Sequence, residues 1–372
     1  MPSKLDPVRI GIIGCGNVMA QYLSAAERLK GKGLIRIVAA CGRSHQRDFV
    51  VKELEIPEFT TDYRELIGLD TVDLVLVLTS MNEHGPVTRA ALEAGKHVLV
   101  EKPIAVTLEE AARIVQLAKT SPGYLLCAPC TILSPTYQSI WRRIRLGEIG
   151  KVVSARARYG WAGPTWGQWF YRRGGGALFD LGVYNVTSLT GWLGPAKRVM
   201  AMTGVAIPER EVNGKRIQVE AEDNAHVLID FGESVFAVVT TGFTLQQYRT
   251  PAIELYGTQG TLQMMGDDWD PDGYELWRND AGAWQIFKET DPDWPWTDGL
   301  RHIVECIQKK VTPTVSPEQA YHVLEIMIKA QASGREGRAL LIESTFTPPV
   351  FAEIVEESPA HLIHDRTRRV KE

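Results

Sequence analysis

Val8-Arg9-Ile10-Gly11-Ile12-Ile13-Gly14-Cys15-Gly16-Asn17-Val18-Met19 is the stretch that decides the fold. The residues before Gly14 make an apolar run of strand length, and a helical pattern begins at Val18 and continues to about Leu29. Glycines between a strand and a helix let a chain hold a pyrophosphate. Gly14 permits the tight turn and Gly16 lets the backbone approach, while the helix start at Asn17 and Val18 offers unpaired N–H groups to the anion. Met19 stands in place of the third glycine of that fingerprint, with Ala20 next, so helix and strand are expected to pack farther apart.

Working outward, Leu34–Ala40 reads as a second strand closed by Cys41-Gly42-Arg43-Ser44. Between Gly33 and Gln46 there is no carboxylate to bind a ribose 2′-hydroxyl. Arg43 and Ser44, with His45 and Arg47 nearby, suit a 2′-phosphate, so the cofactor expected is NADP rather than NAD, although Arg43 stacked on adenine would serve NAD equally. Asp73–Leu78 is a continuous apolar run, as in a parallel strand covered on both faces. It ends at Thr79, and a helix from about His84 runs to Ala94. Ala94-Gly95-Lys96-His97-Val98-Leu99-Val100-Glu101-Lys102-Pro103 follows: a strand ending in a carboxylate, an ammonium and a proline. Thr107 and Glu110 read as a capping box for a helix reaching Lys119, and Tyr124–Ala128 supplies a last strand. The alternation of strand and helix gives a doubly wound parallel sheet, with Thr79, His84, Glu101 and Lys102 on its ligand-binding rim.

The chain has 372 residues, with 41 Lys+Arg against 45 Asp+Glu. Its length suits two domains, and its balanced charge gives no reason to expect a nucleic-acid partner. The first apolar run is too short for a membrane span or a signal peptide, so a cytoplasmic protein is expected. Five cysteines argue against a disulfide scaffold; Cys127 and Cys130 have metal or redox spacing but lack further ligands, so no metal is expected.

After Ser134 the pattern changes. A helix over Pro135–Leu146 and a strand over Val152–Tyr159 lead into a segment holding Trp161, Trp166, Trp169 and Arg172, read either as a wall stacking on a sugar ring or as anchors for a long loop. Gly174-Gly175-Gly176 then opens a largely apolar helix over Ala177–Leu193, on which Asp180, Tyr184 and Thr187 fall along one stripe. Alternating strands follow at Glu222–Asp230, Ser234–Thr244, Pro251–Tyr256, Thr261–Met265 and Tyr274–Arg278, and helices at Thr297–Lys309 and Ser316–Ser333 close an α+β domain with an open, mainly antiparallel sheet. The expected division is a dinucleotide-binding Rossmann domain over 6–130, a substrate and oligomerisation domain over 131–349, and a charged tail over 350–372.

Together, the blocks Gly11–Met19, Ala94–Pro103 and Gly174–Tyr184 resemble the glucose–fructose oxidoreductase / inositol dehydrogenase family, in its tyrosine-type branch. The resemblance implies hydride transfer between NAD(P) and a hydroxyl carbon of a sugar, polyol or related compound, and a homo-oligomer, dimer or tetramer. By position it makes Lys102 the catalytic lysine and Asp180 the helix carboxylate, with Glu101 and Pro103 shaping a turn that often has a cis Lys–Pro bond. Tyr184 stands where many members have His, and Thr187 where they often have Asp; Cys130 and Ile132 replace a common Asn and Arg. A tyrosine with a free pKa of about 10 needs a nearby cation to act as base, a role for Lys102, with Asp180 orienting it. Trp166, Trp169, Arg172, Asp180 and Tyr184 are the expected substrate contacts. Two other functions fit the scaffold: a glycoside hydrolase working by transient oxidation on a retained dinucleotide, and a non-catalytic dinucleotide-binding regulator.

Overall fold

The computed structural model describes residues 6–249 and 251–351 and the backbone of His361–Ile363. The chain forms two compact units, one from the residues up to Cys130 together with Pro295–Leu324, the other from Thr131–Trp294 and the residues from Glu325 on.

The first unit holds β1 (Val8–Ile13), α1 (Asn17–Gly31), β2 (Ile35–Cys41), β3 (Glu58–Thr60), α2 (Tyr63–Ile67), β4 (Leu74–Val77), α3 (Met81–Glu93), β5 (His97–Val100), α4 (Leu108–Thr120) and β6 (Leu125–Cys127). Its sheet has the order β3-β2-β1-β4-β5-β6 with every pairing parallel, the doubly wound Rossmann arrangement. All of β4 is buried, because helices cover both faces of the sheet. Strand order reverses between β1 and β4, and the glycine-rich turn and Thr79 lie at the carboxyl ends of these two strands. Thr107 caps α4 by accepting from the Glu110 N–H at 3.2 Å. The other half of the expected capping box gives way, since the Glu110 carboxyl packs against Gly85 of α3.

The second unit begins with α5 (Pro135–Arg145) and β7 (Val152–Gly160). The helix expected over Ala177–Leu193 is two structures: a π-helical turn at Leu178–Gly182, then α6 (Val183–Leu193). β8 (Arg198–Gly204), the hairpin β9 (Glu209–Val212) and β10 (Lys215–Gln218), then β11 (Asn224–Asp230), β12 (Phe236–Gly242), β13 (Ile253–Gly257), β14 (Gly260–Asp267), β15 (Asp270–Arg278) and β16 (Ala283–Lys288) follow. With β17 (Leu340–Leu341) and β18 (His361–Ile363) they build a sheet of order β17-β8-β11-β12-β7-β13-β14-β15-β16-β18, antiparallel except where β12 runs parallel to β7. β18 pairs with β16 inside the segment read as a charged tail, whose remaining residues from 352 on lie outside the described residues.

Two helices complete the chain, α7 (Gly299–Lys309) and α8 (Pro317–Glu336). Sequence order assigns both to the second domain, but α7 belongs to the first unit. Its apolar face of Leu300, Ile303 and Val304 is fully buried, and it packs on α1 and β5. Trp296, just ahead of it, meets the Tyr22 ring edge-on at 5.9 Å.

Candidate active site

In the first unit the glycine-rich turn is built for close approach. Gly14 has φ +107°, and a Cβ there would lie 2.5 Å from the Leu78 carbonyl oxygen, so only glycine fits between β1 and the end of β4. Gly16 differs: a Cβ on it would meet nothing within 4 Å. It occupies the N-cap of α1 with no side-chain cap, and the first turn carries no acidic residue. An open backbone beside an uncapped helix start, with Asn17 and Val18 leading the helix, fits the pyrophosphate of a dinucleotide. Arg43, Ser44 and His45 are exposed at the end of β2. Gln46, which the sequence reading did not single out, ties this turn to the glycine loop: its amide donates to the Cys15 carbonyl, and its oxygen accepts from the Arg43 N–H at 2.8 Å.

At the ends of β4 and β5 the expected residues divide by burial. The Lys102–Pro103 bond is cis. Lys102 and Thr79 are half-buried, whereas Glu101 is buried and accepts from the Tyr22 hydroxyl at 2.8 Å and from the Lys102 N–H at 3.0 Å. Glu101 thus fastens the turn to α1. His84, expected among the cofactor contacts, is 2% exposed, with Nδ1 2.8 Å from the Pro103 carbonyl and Nε2 3.1 Å from that of Thr79. Both ring nitrogens therefore face carbonyls, which leaves none to offer a ligand. Burial holds its pKa below the usual imidazole value, so the neutral ring donates to one carbonyl at a time and clamps the turn between them.

In the second unit one observation isolates two side chains. From Gly175 to Trp192 every residue is buried except Asp180 and Tyr184, which are half-buried. Asp180 lies within the π-helical turn, a feature common at functional sites. Thr187, the third member of the expected stripe, is buried. Glu222 holds the start of this segment: its backbone carbonyl accepts from Ala177 N–H at 3.0 Å, and its carboxyl accepts from Leu178 N–H at 3.2 Å and from the Gln331 amide at 2.9 Å. Gly176, at φ +104°, is glycine because a Cβ would collide with that carboxyl. Burial pushes the Glu222 carboxyl up to about 7.

The Tyr184 ring meets Tyr159 edge-on at 5.7 Å, and Tyr159 lies 6.1 Å from Trp269. Burial, then the carboxylates of Asp180, Asp267 and Asp268, raise the Tyr159 phenol far above its ordinary range, so it stays a hydroxyl donor. Tyr159 and Trp269 line a cleft of about 650 Å3 in this unit. Beneath it, buried Asp268 accepts from the Asn185 amide at 3.0 Å and the Ser188 hydroxyl at 3.2 Å, fastening the β14–β15 turn to α6. The aromatic segment divides as well. Phe170 and Tyr171 anchor it in a core with Phe243, while Trp166 and Trp169 stay 48% and 42% exposed. Arg172 is exposed and paired with Glu220. Tyr159, Asp268 and Glu222 left no trace in the sequence because each sits on an alternating strand or a turn, where a polar residue looks solvated.

Residues 8–126 match the oxidoreductase family with an NAD-binding Rossmann fold, and residues 137–263 match the GFO/IDH/MocA C-terminal domain. The chain belongs to the GFO/IDH/MocA oxidoreductase family. It is 26% identical over 342 residues to trans-1,2-dihydrobenzene-1,2-diol dehydrogenase of Macaca fascicularis, covering 87% of this chain and 96% of the relative. It is 28% identical over 346 residues to 1,5-anhydro-D-fructose reductase of Ensifer adhaerens, covering 90% and 99%. Among solved structures, levoglucosan dehydrogenase in complex with NADH and levoglucosan shares the fold, with a TM-score of 0.80 at 20% identity over 90% of this chain and 99% of that one. Membership makes this chain an NAD(P)-dependent oxidoreductase of the dehydrogenase/reductase type.

Proposed function

We propose that this GFO/IDH/MocA member oxidises, reversibly, a secondary or anomeric hydroxyl of a sugar, polyol or related compound, and that Lys102, Asp180 and Tyr184 carry the proton chemistry. The observation that supports it most is the pair of half-buried polar side chains, Asp180 and Tyr184, on a segment otherwise buried. When bound, NAD(P) supplies the hydride acceptor or donor. Gly14, Gly16, Asn17 and Val18 would hold its pyrophosphate, and Arg43 with Ser44 a 2′-phosphate, which favours NADP over NAD. Tyr184 Oη takes the proton of the substrate hydroxyl as its C–H bond is lost, and returns it in the reductive direction. Lys102 supplies positive charge for the developing alkoxide, and Asp180, on the same segment as Tyr184, supplies the carboxylate of the set. Relatives that act on a dihydrodiol and an anhydro-sugar are consistent with this substrate class.

A homo-oligomer is part of the same reading. Met200, Leu228 and Val238 lie in direct register across β8, β11 and β12, and all are exposed, with Met202 at 80% and Phe236 beside them. A second copy of the chain would cover this apolar patch. No helix among the described residues is long and apolar enough to cross a membrane. All five cysteines are free and buried, which suits the reducing cytoplasm.

The test is a panel of sugars and polyols assayed with NAD+ and with NADP+, read by reduced-cofactor absorbance. Steady accumulation of reduced cofactor, faster with NADP+, is expected. Glycoside cleavage without net reduction would replace the dehydrogenase reading with the hydrolase one.

A further inference from the structure

The cleft lined by Tyr159, whose ring meets Tyr184, is larger than the proposed redox step requires. At about 650 Å3 it lies mid-range for pockets of about 300–1,000 Å3 that hold drug-sized ligands, and it exceeds one six-membered sugar ring. Its walls are aromatic: Tyr159, Trp161, Tyr248 and Trp269. The Tyr159 ring meets Tyr184 edge-on at 5.7 Å and lies 6.1 Å from the Trp269 ring. Trp161 stacks on exposed Trp166 at 5.5 Å and 25°, carrying the aromatic wall outward.

Among the polar groups on this wall, Tyr248 and Asp267 hold each other in place. Asp267 accepts from the Tyr248 hydroxyl at 3.0 Å, and Tyr248 is covered by the Arg158 guanidinium at 5.6 Å. Burial and the neighbouring carboxylates Asp270 and Asp272 raise the Asp267 carboxyl above its ordinary value. Gln247 supplies an amide, and Arg249, exposed, is the cation among the lining residues. Flat rings with fixed acceptors suit the C–H faces and hydroxyl donors of a saccharide, and a carboxylate within the wall opposes a phosphate.

We infer that this cleft is a subsite for a second, neutral sugar ring, so that the substrate is a glycoside or disaccharide whose reacting ring lies at Tyr184 and whose neighbouring ring stacks on Tyr159 and Trp269. The inference rests on the proposed sugar-oxidising reading for its reacting ring, and it is tested by binding, independently of turnover. Full-length protein is titrated by calorimetry with glucose, maltose, cellobiose, lactose and glucose 6-phosphate. At least one disaccharide binds about tenfold more tightly than glucose, as one added aromatic contact would give, and glucose 6-phosphate binds more weakly than glucose. Trp269→Ala removes the disaccharide advantage while the affinity for glucose changes less than about threefold. Asp267→Asn keeps the shape of the wall, so it serves where the tryptophan variant does not fold: it weakens disaccharide binding and admits glucose 6-phosphate. Equal affinity for glucose and every disaccharide, an advantage that survives both substitutions, preference for the phosphate, or no disaccharide binding overturns the subsite. Turnover of a monosaccharide without a disaccharide advantage overturns the subsite alone; disaccharide binding that depends on Trp269 but never yields reduced cofactor supports the subsite and overturns the redox reading.

Discussion

Asp268 is a buried carboxyl with an amide and a hydroxyl as partners, and burial pushes it up to about 7. The folded state therefore holds a proton that the unfolded chain releases near pH 4, its ordinary range. Stability from this group is full below that range and is lost as pH rises toward 7. Asp268→Asn keeps the shape and removes the titration, so melting midpoints measured from pH 4 to pH 8 should fall less for the variant than for the parent. Glu222, also raised to about 7, contributes a decline of the same sign that survives in Asp268→Asn. The two glycines of the turn between β1 and α1 give a sharper contrast. Gly14→Ala must strain a positive φ and press on the Leu78 carbonyl, at a cost of about 1–3 kcal/mol in denaturant unfolding. Gly16→Ser meets open space and gains a helix cap, so stability should hold while dinucleotide affinity drops on the order of tenfold.

At the scale of elements, β1, β4, β5 and β6 of the first sheet were legible because they are buried and read as apolar runs bounded by glycine, proline or a cap, whereas the short, partly exposed edge strand β3 was not read. The second sheet was legible only in part. β8 alternates Val199, Ala201 and Thr203 with exposed Met200 and Met202, so its outward residues mask the period-two signal. The hairpin of β9 and β10 is short and charged, and the sequence reading missed it. The π-helical turn is invisible to a periodicity argument, since one added residue barely shifts the apolar pattern. Asp180 and Tyr184 nonetheless stood out in the sequence, because a carboxylate and a phenol are conspicuous against an apolar helix. Their support did not, because Glu222 and Asp268 act from elements that are far away in sequence. α7 was assigned to the wrong unit for the same reason: its amphipathic pattern says that a face is buried, not against what.

For the whole molecule, the exposed row of Met200, Leu228 and Val238 predicts assembly. Leu228→Asp should shift the sedimentation profile at micromolar concentration toward the monomer without lowering the melting midpoint of the isolated chain, because the side chain is exposed. The central claim concerns chemistry, and it is tested most directly by the turnover number of Tyr184→Phe and Lys102→Ala on the sugar or polyol that the parent oxidises fastest, measured beside dinucleotide affinity. The expected result is a loss of turnover of about 10²–10⁴-fold in each variant with dinucleotide affinity unchanged. Turnover near that of the parent in either variant would contradict the assignment of the proton transfer to these residues.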